Sequence, residues 1–178
     1  MFRIVTFAAL LAAGMLVGCS STAQAPQVAG NIRSSIEQAG IKGVSVAQDR
    51  EKGVVTLTGS VAIDADKARA AQIAQSFAAG QVVANEVAIL PPGDGGQSKT
   101  IYADLDKGID NNLDAALISG GYKTGIHHSV KNGVVTLTGA VDTERQRMQI
   151  QSIAQGVPNT QHVVNEIESR HEKATSTN

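Results

Sequence analysis

Hydrophobic periodicity divides the chain into the same succession of patterns twice over. In the first stretch, Ile32 and Ile36 stand four apart with Ala39 beside them, which predicts a short amphipathic helix. Val44 and Val46, then Val55 and Leu57, alternate with small or polar neighbours as half-buried strands do. The charged segment Asp49 to Gly53 between them predicts a turn. Ala70, Ile73, Ala74 and Phe77 fall at i, i+3, i+4 and i+7, one face of a longer helix. A strand over Val82 to Ile89 closes the series. In the second stretch Leu105, Ile109, Leu113 and Leu117 repeat at four, with Ala116 following the same stripe. Asn132-Gly133 is a strong hairpin signal, Ile150, Ile153, Ala154 and Val157 form the second helical face, and His162 to Ile167 is the last strand. Gly40 and Gly120-Gly121 suit helix C-termini, and Asp64 and Asp142 (or Thr143) are expected N-caps.

The duplication is literal in places. Gly53-Val54-Val55-Thr56-Leu57-Thr58-Gly59 recurs at Gly133 to Gly139, an offset of 80. Ile73-Ala74 matches Ile153-Ala154 and Asn85-Glu86-Val87 matches Asn165-Glu166-Ile167 at that same offset, which implies a repeated domain. The predicted fold class is α+β: two tandem αββαβ domains, each a small three-stranded mixed sheet with two helices packed on one face. The hairpin makes the first two strands antiparallel, and the helical crossover to the third is right-handed. The other sheet face, bearing Thr56, Thr58, Thr136 and Thr138, is expected to be available. Expected boundaries are 30–90 and 104–168 for the domains, with a turn-rich linker over 91–103 and a polar tail over 169–178. A domain of roughly 60 residues buries only about 60% of its unfolded surface. The two copies are therefore expected to pack against each other or a partner.

The N-terminus has a different character. Arg3 supplies a short basic region, and Ile4 to Val17 is an uncharged, mostly apolar run of 14 residues. A bilayer-spanning helix needs about 20, so residues 1–18 read as a secretory signal peptide. The run ends Leu16-Val17-Gly18-Cys19, which resembles a bacterial lipobox. The resemblance implies diacylglycerol on the Cys19 thiol, cleavage before Cys19 and acylation (palmitate-type chains) of the new amine. Two or more chains give stable anchoring where one does not. Residues 19–29 are then a lipidated cysteine and linker. By resemblance to lipoprotein sorting in enterobacteria-like cells, Ser20 rather than Asp after the cysteine implies the outer membrane, with the domains facing the periplasm.

Composition excludes more than it assigns. With 15 basic and 16 acidic residues, and 14 basic after loss of Arg3, there is no field to concentrate nucleic acid. Downstream of the leader the aromatics are Phe77, Tyr102 and Tyr122, too few for a base-stacking platform. A single cysteine makes no internal disulfide, and no zinc-ligand spacing accompanies it. No nucleophile–base set or phosphate loop emerges, so no catalytic residue, metal site or cofactor is assigned and the chain is read as non-enzymatic.

The repeated Gly-Val-Val-Thr-Leu-Thr-Gly segments, followed by Val61 and Val141, the Ile-Ala pairs, and the Val83-x-Asn85-x-Val87 and Val163-x-Asn165-x-Ile167 segments are similar to those of the BON family. Together with the lipobox, the chain resembles dual-BON outer-membrane lipoproteins. That resemblance implies envelope maintenance or an osmotic-stress role through phospholipid association. Rival readings are an envelope protein-interaction module and an ion- or osmolyte-responsive module. Relatives bind lipid through a helix of the second copy. Here that helix carries Asp104, Asp106, Asp110 and Asp114 against Lys107, a charge that anionic headgroups repel, so no lipid site is transferred to it.

The basic candidates for a membrane or partner contact are Lys123, Lys131, Arg145 and Arg147. Near an anionic surface each contributes about 1 kcal/mol. Their plainer reading, a solvated helix face with pairing to Glu144, is preferred. Adjacent His127 and His128 point to opposite faces of a strand and do not readily chelate one metal, even with His162 nearby. Asn85 and Asn165, in phase with apolar strand positions, are read as structural amides. Gly59 and Gly139 are read as strand ends with a tight backbone path.

Overall fold

The computed structural model describes residues 24–94, 96–122 and 124–170. The expected leader, Cys19, Lys123 and the end of the tail lie outside them. The first copy comprises α1 (Ala29–Gln38), β1 (Val44–Asp49), β2 (Val54–Val61), α2 (Asp64–Phe77), β3 (Val82–Asn85) and β4 (Ala88–Ile89). The second comprises α3 (Gln97–Ser119), β5 (Ile126–Lys131), β6 (Val134–Val141), α4 (Glu144–Gln155) and β7 (His162–Ser169). In each copy the middle strand pairs antiparallel with its hairpin partner and parallel with the strand beyond the crossover helix. The architecture is α+β in two tandem domains.

Alternation along the strands sorts the two faces. Val46, Val55, Leu57 and Val61 join Ile32, Ile36, Ala70 and Ala74 in one core, and their counterparts on α3, β6 and α4 form another. The opening helices stop alike. Beyond α1, Gly40 adopts φ 78°, its N–H donates to Glu37, and the Ile41 N–H donates back to Ile36. Beyond α3, Gly121 at φ 85° and Tyr122 repeat these bonds to Ile118 and Leu117. This is the Schellman arrangement, which satisfies carbonyls that the helix leaves open. Asn132 and Gly133 both take positive φ, the tight turn that a two-residue hairpin requires.

Several expectations are corrected. Gly59 and Gly139 lie inside β2 and β6, not at their ends. A Cβ on Gly59 would meet the Gly43 carbonyl oxygen at 2.0 Å, and one on Gly139 the Gly125 oxygen at 2.1 Å. The glycines therefore mark a close approach of two backbones. The strand expected over Val82 to Ile89 breaks into β3 and β4 around Glu86, whose carbonyl accepts from Asn132 of the other copy, a bond that β7 does not share. Phe77 is exposed, and Ala78, just past the helix end, is buried instead. Asp64 occupies the first turn of α2 without capping it, where its charge still complements the helix dipole. Thr143, not Asp142, caps α4, forming a capping box with Gln146.

Both expected linkers are partly ordered. Helix α3 begins at Gln97, inside the segment read as linker, because Asp94 accepts hydrogen bonds from the Gly96 and Ser98 amides. The Ser98 hydroxyl first, and then these amide bonds, hold the Asp94 carboxyl below its usual 3.8. Core packing of α3 starts only at Ile109, so Leu105 sits on an overhang and is exposed. At the other end, Ala25 exchanges hydrogen bonds with Arg50, and the Pro26 carbonyl accepts from Gln48 and Gln81.

Candidate functional site at the junction of the two copies

The sheet faces left bare by the helices do not stay open throughout. Val54 and Ala84 of copy one meet Val134 and Val164 of copy two in a separate buried cluster. Each member lies 80 residues from its counterpart, so the contact has approximate two-fold symmetry. Polar contacts at the rim repeat the symmetry. Lys52 Nζ lies 2.6 Å from Glu166 Oε2, and Lys131 Nζ lies 3.1 Å from Glu86 Oε2. A lysine in the hairpin turn of copy one, and one beside the turn of copy two, thus reach equivalent glutamates of the other copy. The hydrogen bond that Lys52 donates to Glu166 raises the Lys52 pKa. With Lys52 half-exposed, the pair adds little to stability beside the apolar cluster.

Because α3 is longer than α1, one side of the junction forms a cleft of about 370 Å³. Ser60 and Leu90 contribute from copy one, Lys99, Tyr102 and Asp106 from α3, and Lys131 from the end of β5. Asp106 accepts from the Asn132 and Gly133 amides at 2.8 and 2.9 Å, which fixes the turn against the helix. Further along, Asp110 Oδ1 lies 3.1 Å from His128 Nε2, with Asp114 at 3.7 Å. Three of the four aspartates on α3 therefore face groups of their own domain. The outer surface of the overhang instead shows Ile101 and Leu105, 58% and 42% exposed.

A second, smaller cleft of about 210 Å³ lies between α2 and β3 of copy one and the β7 end of copy two. It contains Lys67, the one buried charged residue among the described residues. Lys67 Nζ is 3.3 Å from Gln161 Oε1. Burial pushes its pKa down, opposed by the charge of Asp64 one turn earlier.

The structure does not gather the basic candidates into one site. Lys131 lines the larger cleft, whereas Arg145 and Arg147 lie on α4. Arg147 Nη1 pairs with Glu144 at 2.7 Å, its Nε is buried without a hydrogen-bond partner, and Arg145 is exposed. Asn85 and Asn165 do equivalent structural work. Their amides donate to the Lys67 and Arg147 carbonyls, and their oxygens accept from the amides of Val87 and Ile167. His127 and His128 alternate in exposure along β5. Among the described residues no group of three or more His, Cys, Asp or Glu side chains is arranged to hold a metal. No described helix is long and apolar enough to cross a membrane. Sequence reasoning missed Lys67, although its place three residues before Ala70 puts it in phase with the buried stripe.

The family model of the BON domain matches residues 24–91 and 105–170. No curated protein matches. Among solved structures, the chain is similar to the C-terminal domain of CdsD, a structural protein of the type III secretion system of Chlamydia trachomatis. Identity there is 17% and the TM-score 0.33, over 80% of this chain and 65% of that one, just under two thirds of its length. A second CdsD structure from Chlamydia trachomatis gives 15% identity and a TM-score of 0.34, over 79% of this chain and 90% of that one.

Proposed function

From the premise that the chain belongs to the BON-domain family, carrying two copies, we propose that it is a non-enzymatic lipoprotein of the bacterial envelope. Family membership supports an envelope-type role. The finer reading is a body tethered through acylated Cys19 to the periplasmic face of the outer membrane. There it serves envelope maintenance or the response to osmotic stress by associating with phospholipid. The observation that carries this reading is the strap at the start of the described chain. Ala25 and Pro26 are hydrogen-bonded to Arg50, Gln48 and Gln81. From Cys19 to Gln24 there are five Cα steps, which reach at most about 16–18 Å at full extension. Anchored there, copy one sits against the bilayer, and weak headgroup contacts become effectively intramolecular. Asp106 is turned toward the β5–β6 turn and Asp110 toward His128, which leaves Ile101 and Leu105 as the apolar outward face of the overhang.

Replacing Cys19 by Ala tests the anchor. The expected result is transfer from the membrane pellet to the soluble fraction, and an unchanged pellet refutes it. Flotation of the unacylated chain with phosphatidylglycerol or phosphatidylcholine vesicles then separates phospholipid association from a role confined to protein partners.

A further inference from the structure

We propose that the smaller cleft between the copies binds a single phosphate group, held by Lys67. Three observations support this. The first is an unbalanced charge. Lys67 is 9% exposed, yet none of the ion pairs among the described residues includes it. Its one hydrogen-bond acceptor is the neutral Gln161 amide oxygen, at a long 3.3 Å. An ammonium has three donors to satisfy, and a buried charge is ordinarily paired.

The second is the comparison that the duplication provides. The counterpart of Lys67 is Arg147, and the counterpart of Asp64 is Glu144, both at the offset of 80. In copy two the cation has its anion, since Arg147 and Glu144 lie 2.7 Å apart. In copy one Asp64 is exposed and makes no such pair with Lys67. The same fold position thus holds a neutralised cation in one copy and an un-neutralised one in the other.

The third is the lining. Beside Lys67 stand Gln75, Asn85, Gln161 and His162, with apolar Val83 and Val134 as walls, and no carboxylate lines the cleft. Two of these amides, Gln75 and Gln161, are able to turn their NH₂ groups toward an oxyanion, and the imidazole adds a ring N–H. Donors on several sides suit a tetrahedral oxyanion with several acceptor oxygens. The Asn85 hydrogen bond to the Lys67 carbonyl, at 3.1 Å, fixes the backbone from which the ammonium projects. Because the lining comes from both copies, occupancy ties them together. Free phosphate and a lipid headgroup share this chemistry, and the site is independent of the Cys19 anchor.

The test uses the full chain in non-ionic detergent. Thermal unfolding is followed in sodium phosphate and in sodium chloride at matched ionic strength, so that screening is common to both. Phosphate is expected to raise Tm above the chloride value, as a ligand of the folded state does. Part of that rise is the general stabilisation by an excluded salt; Lys67→Met should reduce the difference to that part, and Lys42→Met, at an exposed position, should retain all of it. Amide NMR of the wild type supplies a readout that needs no variant to fold: inorganic phosphate should shift the Gln161 and His162 resonances. Repeating the titration with soluble short-chain phosphatidylglycerol assigns the source. Shifts with both ligands indicate a headgroup site, and shifts with inorganic phosphate alone indicate free phosphate. Equal Tm values in phosphate and chloride with no resonance shift overturn the proposal, as does a phosphate effect as large in Lys67→Met as in Lys42→Met.

Discussion

Replacing Asn165 by Ala removes three hydrogen bonds at once and tests how each third strand is fastened to its crossover helix. The amide donates to the Arg147 carbonyl at 3.2 Å and to Gln151 at 3.0 Å, and its oxygen accepts from the Ile167 amide at 3.1 Å. A neutral hydrogen bond contributes about 1 kcal/mol net, and a buried donor left without a partner costs about 1–3 kcal/mol. Ile167 is buried, so its N–H has poor access to replacement water. The half-exposed Gln151 finds water readily and counts for little. Asn165→Ala should therefore cost about 2–4 kcal/mol. Asn85→Ala lacks the glutamine bond and starts from a longer contact, 3.3 Å, to Val87. It should cost less, by about 0.5–1 kcal/mol. Urea unfolding monitored by circular dichroism measures both, read as midpoint changes at constant m. A loss below about 0.5 kcal/mol in either variant, or a larger loss at Asn85 than at Asn165, refutes the argument.

Gly139→Ala places a methyl group against the Gly125 carbonyl oxygen, at a residue held at φ 125°. Soluble expression should collapse, or the melting temperature fall by far more than for an Ala substitution at the open position Gly108; near-equal melting temperatures would show that the backbones part easily. Val164→Asp introduces an unpaired carboxylate into the cluster between the copies, away from Lys67, and should cost about 3–5 kcal/mol. Small-angle scattering should then show a longer particle, and unchanged dimensions would count against the junction described. The Asp94 carboxyl is held below 3.8, so the order it gives the first turn of α3 is present above that pH and lost as pH falls through the lowered value. Protection of the Gly96 and Ser98 amides, taken as the exchange rate relative to the intrinsic rate at each pH, should fall over that range and should be low at all pH values in Asp94→Ala.

The sequence made the elements and their pairing legible because burial imposes a period. Leu57, Leu137, Ile73 and Ile153 lie where alternation or helical phase puts them, and Asn132-Gly133 specifies its turn by backbone conformation alone. What period does not encode was harder to read. Asp94 ends a stretch rich in Pro and Gly that looks like a flexible connection, yet its carboxylate starts a helix. Lys67 sits in an apolar stripe, but only the second copy makes that position an enclosed one. The fate of the bare sheet faces was likewise undecided, since Val54 and Val134 fall on the strand side that alternation assigns to solvent.

The near two-fold contact between the copies has a consequence for how such a chain diversifies. When two identical subunits meet about an axis, any substitution alters both edges of the contact together. Here each edge is written separately in the gene. Lys52 stands in a four-residue turn, while Lys131 borders a two-residue one, and only the second repeat carries the extended helix that walls the larger cleft. Covalent fusion thus lets one half keep the assembly closed while the other acquires features that a symmetric pair would have to accept twice.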